Sequence, residues 1–236
     1  MEKKVPWIVK TFDYKMWFHD FVKITGALLV LLDLRMKRVY INKTKRFFSG
    51  RYIVASNHVS FEDPVILLNA FWKRRLGFIA TIDLFKNKFS SLLFTGFGCI
   101  PINKQKVSLS TFKKLKERLD RGHVVCVFPE GTVSRTKELG EFKNGTALMA
   151  CMSSADIIPV YICKRTSRWQ RQVVIYGERL RYHDYFKSTH PSQEEIDKVT
   201  KVLKEKELEL EAIYKEKYYK EPKAKKDKNK AQKNVR

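Results

Sequence analysis

Arg51-Tyr52-Ile53-Val54-Ala55-Ser56-Asn57-His58-Val59-Ser60-Phe61-Glu62-Asp63-Pro64 joins two kinds of local structure within one short stretch. The β-branched and aromatic run over 52–56 reads as a buried strand. Asp63-Pro64 reads as a helix start, with aspartate as cap and proline at the first helical position, followed by Val65 to Trp72. Between them lies a polar loop at a strand end, the place where chemistry gathers in open α/β sheets.

The same alternation continues outward in both directions. Strands are expected at Gly77–Thr81, Cys99–Ile102, Val124–Phe128, Ile157–Ile162 and Gln172–Tyr176. Helices are expected over Leu84–Phe97 and over Ser108–Asp120, the latter closed by Gly122. A capping box at Ser192 and Glu195 opens a charged helix reaching to about Tyr218. Strands alternating with helices predict an α/β domain whose largely parallel sheet is flanked by helices.

Two appendages frame that domain. Residues 1–45 form an N-terminal segment in which Phe18, Phe21, Val22, Leu28, Leu29 and Leu32 follow helical spacing and Trp7 and Trp17 supply interfacial rings. Its longest uncharged stretch, Ile24 to Leu32, is far shorter than the ~20 residues that cross a bilayer as a helix. No small-residue cleavage site follows it, so it does not read as a secretory signal. An amphipathic helix on a membrane surface fits the pattern, and so does a helix packed on its own domain. Residues 46–219 hold the domain. Residues 220–236 have little apolar surface to bury and read as a basic, disordered tail.

The formal charge is +23 over 236 residues, and the tail, with eight Lys/Arg against Glu221 and Asp227, carries only a minor part of it. A field of that sign attracts anionic lipid, an acidic carrier protein or nucleic acid. No arrangement of the basic residues matches a known nucleic-acid motif. Cys99, Cys126, Cys151 and Cys163 contain no CxxC pair and sit mostly in apolar runs, as reduced, buried thiols do.

Chemistry concentrates in two segments. In the first, a loop that folds back lets Asp63 accept a hydrogen bond from one ring nitrogen of His58, leaving the other free to take a proton from a hydroxyl. The same pair fits a loop histidine that caps backbone groups, and spacing alone does not choose. Ser60 lacks the strand-to-helix elbow of a nucleophilic serine, and no third ligand accompanies the pair, so no metal is expected. The second segment, Phe128-Pro129-Glu130-Gly131-Thr132-Val133-Ser134-Arg135, offers a tight turn, amides, a hydroxyl and a cation to an anionic group. An ordinary glycine turn beside a solvated arginine reads the same way.

Taken in order, Asn57-His58-x-Ser60-x-x-Asp63, Gly98-Cys99-Ile100-Pro101-Ile102-Asn103-Lys104, Phe128-Pro129-Glu130-Gly131-Thr132 and Ile158-Pro159-Val160 resemble the four blocks of the glycerolipid acyltransferase family. Phe142-Lys143-Asn144-Gly145 also resembles the stretch that follows the third block. The likeness covers about residues 50–165. It implies an O-acyltransferase in which His58 is the base on an acceptor hydroxyl and Asp63 orients and balances its ring. It implies that Lys104, Glu130, Gly131 and Thr132 bind the acceptor's phosphate.

This chain has Lys104 where the family usually has arginine, and Val133 where arginine often follows the threonine; Arg135 then supplies the cation two positions on. Lysine keeps the charge but not the two-pronged guanidinium contact. The implied acceptor is 1-acylglycerol 3-phosphate, with other lysophospholipids or glycerol phosphate as alternatives. The co-substrate is an acyl thioester of acyl carrier protein or coenzyme A, with no cofactor. Expected partners are an anionic membrane surface, lysophospholipid and acyl carrier protein. The expected location is the cytoplasmic face of the cell membrane, held peripherally or monotopically. A basic nucleic-acid-binding protein is the competing class, although no nucleic acid is expected on the acyltransferase reading. Leu84 to Phe97 offers either an acyl-chain groove or plain core.

Overall fold

The computed structural model describes residues 21, 36–41, 49–103, 108–134, 139–165 and 170–219. The expected N-terminal segment (apart from Phe21 and residues 36–41), the 220–236 tail, Lys104 and Arg135 lie outside the described residues.

Seven strands form one sheet: β1 (Lys37–Tyr40), β2 (Tyr52–Ser56), β3 (Leu76–Thr81), β4 (Ile100–Ile102), β5 (Val124–Val127), β6 (Asp156–Ile162) and β7 (Val173–Tyr176), in the order β1-β7-β6-β2-β5-β3-β4. β2 through β6 are mutually parallel; β7 runs antiparallel to β6, and β1 pairs parallel with β7. Residues 37–40, assigned from sequence to the N-terminal segment, are thus an edge strand of the sheet. Only Val39 and Tyr40 are apolar there, too short a pattern to stand out in a basic stretch.

The helices are α1 (Asp63–Ala70), α2 (Lys88–Gly96), α3 (Leu109–Asp120), α4 (Gly145–Ser153), the single turn α5 (Tyr182–Tyr185) and α6 (Gln193–Lys217). They cover both faces of the sheet. Tyr52, Val54, Val124 and Cys126 join one apolar cluster with α1 residues Ile66 and Leu67. Ile53, Ala55, Val125 and Val127 join the other with α3, α4 and α6 residues. Central strands buried on both sides are the reason these runs are continuously apolar rather than alternating. α6 opens on the expected capping box, Ser192 and Glu195 each accepting from the other's backbone N–H.

Two helix starts differ from expectation. The helix foreseen over Leu84–Phe97 is divided into a 3-10 turn at Ile82–Phe85 and α2, because Asn87 is extended (φ −95°, ψ 143°) and interrupts the ladder. At α1 the N-cap is Glu62, and Asp63 is the first helical residue, its carboxylate turned back into the preceding loop.

The chain leaves β2 through α1 on one face to reach β3, and leaves β5 through α4 on the other face to reach β6. These connections depart in opposite directions from neighbouring strands. The crevice at the carboxyl ends of β2 and β5 is therefore the switch point of the sheet, where open α/β folds bind ligands.

Candidate functional site: a histidine-aspartate pair in an apolar cavity

His58 stands in the loop after β2. Its Nδ1 lies 2.8 Å from Asp63 Oδ2. That same oxygen accepts from the backbone N–H of Val59 at 2.7 Å and of Ser60 at 2.8 Å. Three donors on one buried oxygen fix the carboxylate, so Nδ1 carries the hydrogen and Nε2 is the basic nitrogen. The loop folds back as expected, but Asp63 does this instead of capping α1. The ring also stacks on Phe128, centroids 3.9 Å apart and planes 15° apart. Stacking and hydrogen bond together leave the imidazole one orientation. Ser60 Oγ accepts from the Glu62 N–H at 3.2 Å.

The backbone of His58 is tied to the connection between β5 and α4. Its N–H donates to Glu130 Oε1 (3.1 Å) and its carbonyl accepts from Ser134 N–H (2.7 Å). Glu130 Oε2 in turn accepts from Gly140 N–H at 3.2 Å. Glu130 is only 7% exposed, and both its oxygens are occupied by peptide donors. A Cβ on Gly140 would sit 2.9 Å from Glu130 Oε2, so any other residue there would push the carboxylate away from its present place. One residue before the histidine, Asn57 receives Ile162 N–H (2.7 Å) and donates to Ile162 O (3.1 Å), clamping the end of β2 to β6.

His58, Glu130, Gly131 and Thr132 line one cavity of about 1510 Å³, with Asp63 buried behind the histidine. One side of it is apolar: Leu68, Phe78, Ile79, Leu84, Phe94 and Phe97. From the expected groove stretch, Leu84, Phe94 and Phe97 reach it, whereas Phe89 and Leu92 do not. The stretch after β5 contributes Thr132, Ser134 and Lys143 together with the acids Glu130 and Glu141. Gly131 adopts φ +72°, and its N–H closes a turn onto Phe128 O instead of facing the cavity. Lys143 lies over this turn, its Nζ 3.3 Å from where a Gly131 Cβ would be. It is the described cation beside the turn that the chain's spacing did not single out; only its place in the Phe142–Gly145 stretch pointed there.

All four cysteines are buried and free. Burial pushes the Cys99 thiol up to about 12, away from nucleophilic thiolate character. Among the described residues, no group of three or more His, Cys, Asp or Glu side chains could hold a metal ion.

The acyltransferase family model matches residues 37–163, from β1 to the end of β6, which takes in His58, Asp63 and the turn after β5. The chain belongs to the acyltransferase family. This acyltransferase is 26% identical over 191 residues to the 1-acyl-sn-glycerol-3-phosphate acyltransferase of Bacillus subtilis (strain 168), covering 79% of this chain and 94% of that one. It is 28% identical over 148 residues to a probable 1-acyl-sn-glycerol-3-phosphate acyltransferase of Mycoplasma pneumoniae, covering 60% and 55%. Its fold is similar to that of PlsC, the 1-acyl-sn-glycerophosphate (LPA) acyltransferase of Thermotoga maritima, with a TM-score of 0.60 at 20% identity over 87% of this acyltransferase and 83% of PlsC.

Proposed function

We propose that this acyltransferase esterifies the free hydroxyl of 1-acylglycerol 3-phosphate with an acyl group from a thioester, giving phosphatidic acid. The observation that carries the reading is a single-orientation His58–Asp63 pair opening on a large, mainly apolar cavity that Lys143 also lines. His58 Nε2 takes the proton from the acceptor hydroxyl as its oxygen attacks the thioester carbonyl. The tetrahedral intermediate collapses with loss of the thiolate, which receives the proton back from the imidazolium. Asp63 offsets the ring's positive charge between those steps. Every bond is exchanged between substrates, so no acyl-enzyme is needed.

Lys143 and Thr132 receive the acceptor's phosphate, joined by Lys104 and Arg135. Gly131 supplies the turn that lets Lys143 approach. Glu130 departs from the phosphate-binding role that the resemblance implies: a carboxylate repels a phosphate, and its two peptide contacts favour a positioning role. The apolar wall receives acyl chain. The donor is a thioester of acyl carrier protein or coenzyme A, and the enzyme works at the cytoplasmic face of the cell membrane, bound peripherally.

The deciding assay offers purified protein labelled acyl-coenzyme A or acyl carrier protein with a panel of lysophospholipids and glycerol phosphate, beside His58→Ala. Transfer to lysophosphatidic acid that disappears in the variant is the expected result. Transfer to another acceptor alone would overturn the substrate assignment, and transfer undiminished by His58→Ala would overturn the mechanism.

A further inference from the structure

The apolar residues around the cavity mouth do not stop at its rim. Phe61, just ahead of α1, is 89% exposed, and Val65 on α1 and Leu84 on the 3-10 turn are exposed as well. These three line the cavity entrance. Beyond it, Ile82 on the same 3-10 turn and Phe89 and Leu92 on α2 also face outward, the last two 78% and 65% exposed. Phe89 and Leu92, three apart, share one face of α2, while Phe94 on the opposite side packs against Phe85 and the core. The 3-10 turn and α2 therefore turn large apolar side chains both inward and outward. An exposed patch of this kind marks an interaction surface.

Its charge selects the partner. Along residues 82–97 the single acid is Asp83, and it is held 2.8 Å from Lys86 Nζ. Lys88 stands exposed beside Phe89. Apolar side chains flanked by lysines on a chain of net charge +23 match a bilayer with anionic headgroups, where rings and aliphatic groups enter the acyl boundary and ammonium groups remain among phosphates.

We propose that the 3-10 turn and α2, with Phe61 and Val65, dock this enzyme onto an anionic bilayer and seat the cavity mouth in the lipid surface. This rests on the proposed lipid acceptor, and it is separate from any contribution of residues 1–35. Phe61, Val65 and Leu84 are then the threshold between bilayer and cavity: an acyl chain passes from lipid to the apolar wall without crossing water.

The test uses the full chain carrying Phe89→Cys, labelled with an environment-sensitive fluorophore. The native thiols are buried, so the label reports position 89. Vesicles of phosphatidylcholine alone and of phosphatidylcholine with phosphatidylglycerol are compared, each with and without brominated lipid. The expected result is a blue shift and bromine quenching on the anionic vesicles. A second variant, Phe89→Ser with Leu92→Ser, lies outside the cavity. It should bind anionic vesicles about 10- to 100-fold more weakly, while acylating a monomeric short-chain lysolipid as wild type does.

A label that stays in water while the protein sediments with vesicles overturns the docking face and leaves the enzymatic reading standing. A label already shielded without vesicles also overturns it: in a sedimenting dimer the cover is a second copy, and in a monomer it is the chain's own residues 1–35. Absence of transfer by wild type to any acceptor would instead defeat the enzymatic reading, whatever the label reports.

Discussion

Glu130→Gln separates two roles for a residue that lines the cavity beside His58. Its carboxylate gives one oxygen to His58 N–H at 3.1 Å and the other to Gly140 N–H at 3.2 Å. Glutamine has the same shape but one acceptor, so one peptide N–H loses its partner and meets an amide N–H instead. An unpaired buried donor costs about 1–3 kcal/mol, and at about 2–4 °C per kcal/mol for a chain of this size the melting temperature should fall by roughly 2–12 °C. The catalytic effect follows from geometry: a reacting group displaced by ~1 Å loses on the order of 100-fold in rate. We therefore expect kcat to fall about 10- to 100-fold, with KM for lysophosphatidic acid changed by no more than about twofold. Steady-state kinetics with acceptor varied at saturating thioester, beside a thermal melt, read both quantities. A KM raised about tenfold with kcat intact would refute the brace and return Glu130 to the acceptor's contacts.

Three further variants probe separate parts of the molecule. In Asp63→Asn, the Val59 and Ser60 N–H groups still require an acceptor, so the amide oxygen takes the Oδ2 position and the histidine keeps its tautomer. Only the charge is lost, and kcat should fall about 10- to 1,000-fold, less than in Asp63→Ala; equal losses would refute the tautomer argument. Lys143→Ala should raise KM for lysophosphatidic acid about tenfold and leave the thioester KM unchanged; equal effects on both substrates would remove Lys143 from the phosphate site. Glu207 is fully buried on α6, holding Val160 N–H with one oxygen, and burial raises its pKa well above the usual carboxylate value. The unfolded chain releases that proton near pH ~4.3 while the folded chain retains it, so stability falls as pH rises through the interval between the two values. Glu207→Gln removes the penalty: its gain in unfolding free energy, read from denaturant melts across pH, should vanish near pH ~4 and grow by about 1.4 kcal/mol per pH unit above it until Glu207 itself ionises in the wild type. A gain independent of pH would refute this.

The alternation of strands and helices was readable because central parallel strands must be apolar on both faces, as Val124–Val127 is, and because caps such as Ser192 with Glu195 announce themselves locally. β1 carries no such signal, with only Val39 and Tyr40 apolar, which is why it passed for part of a basic segment although the other edge strand, β4, was foreseen. Spacing allowed His58 and Asp63 to close on one another but did not choose between a catalytic pair and a capping histidine; the ordered likeness to the family's blocks did. The direction of Asp63 was not readable: it looked like a helix cap because caps and loop anchors use the same side chain, and only the folded loop shows three donors converging on Oδ2. Glu130 and Lys143 were the least legible, because their roles depend on Gly140 and Gly131, separated from them in sequence and brought close by turns.

The switch point between β2 and β5 also sets where this enzyme can be altered. The loop carrying His58 and Asp63 belongs to the α1 crossover, and the turn carrying Thr132 and Lys143 to the α4 crossover on the opposite face. Glu130 and Ser134 are the rivets between the two halves, both gripping the peptide groups of His58. On the proposed phosphate contacts, exchanging Thr132, Val133 and Lys143 as a cassette while those two residues and Gly140 are kept should change acceptor choice and leave the His58–Asp63 pair whole.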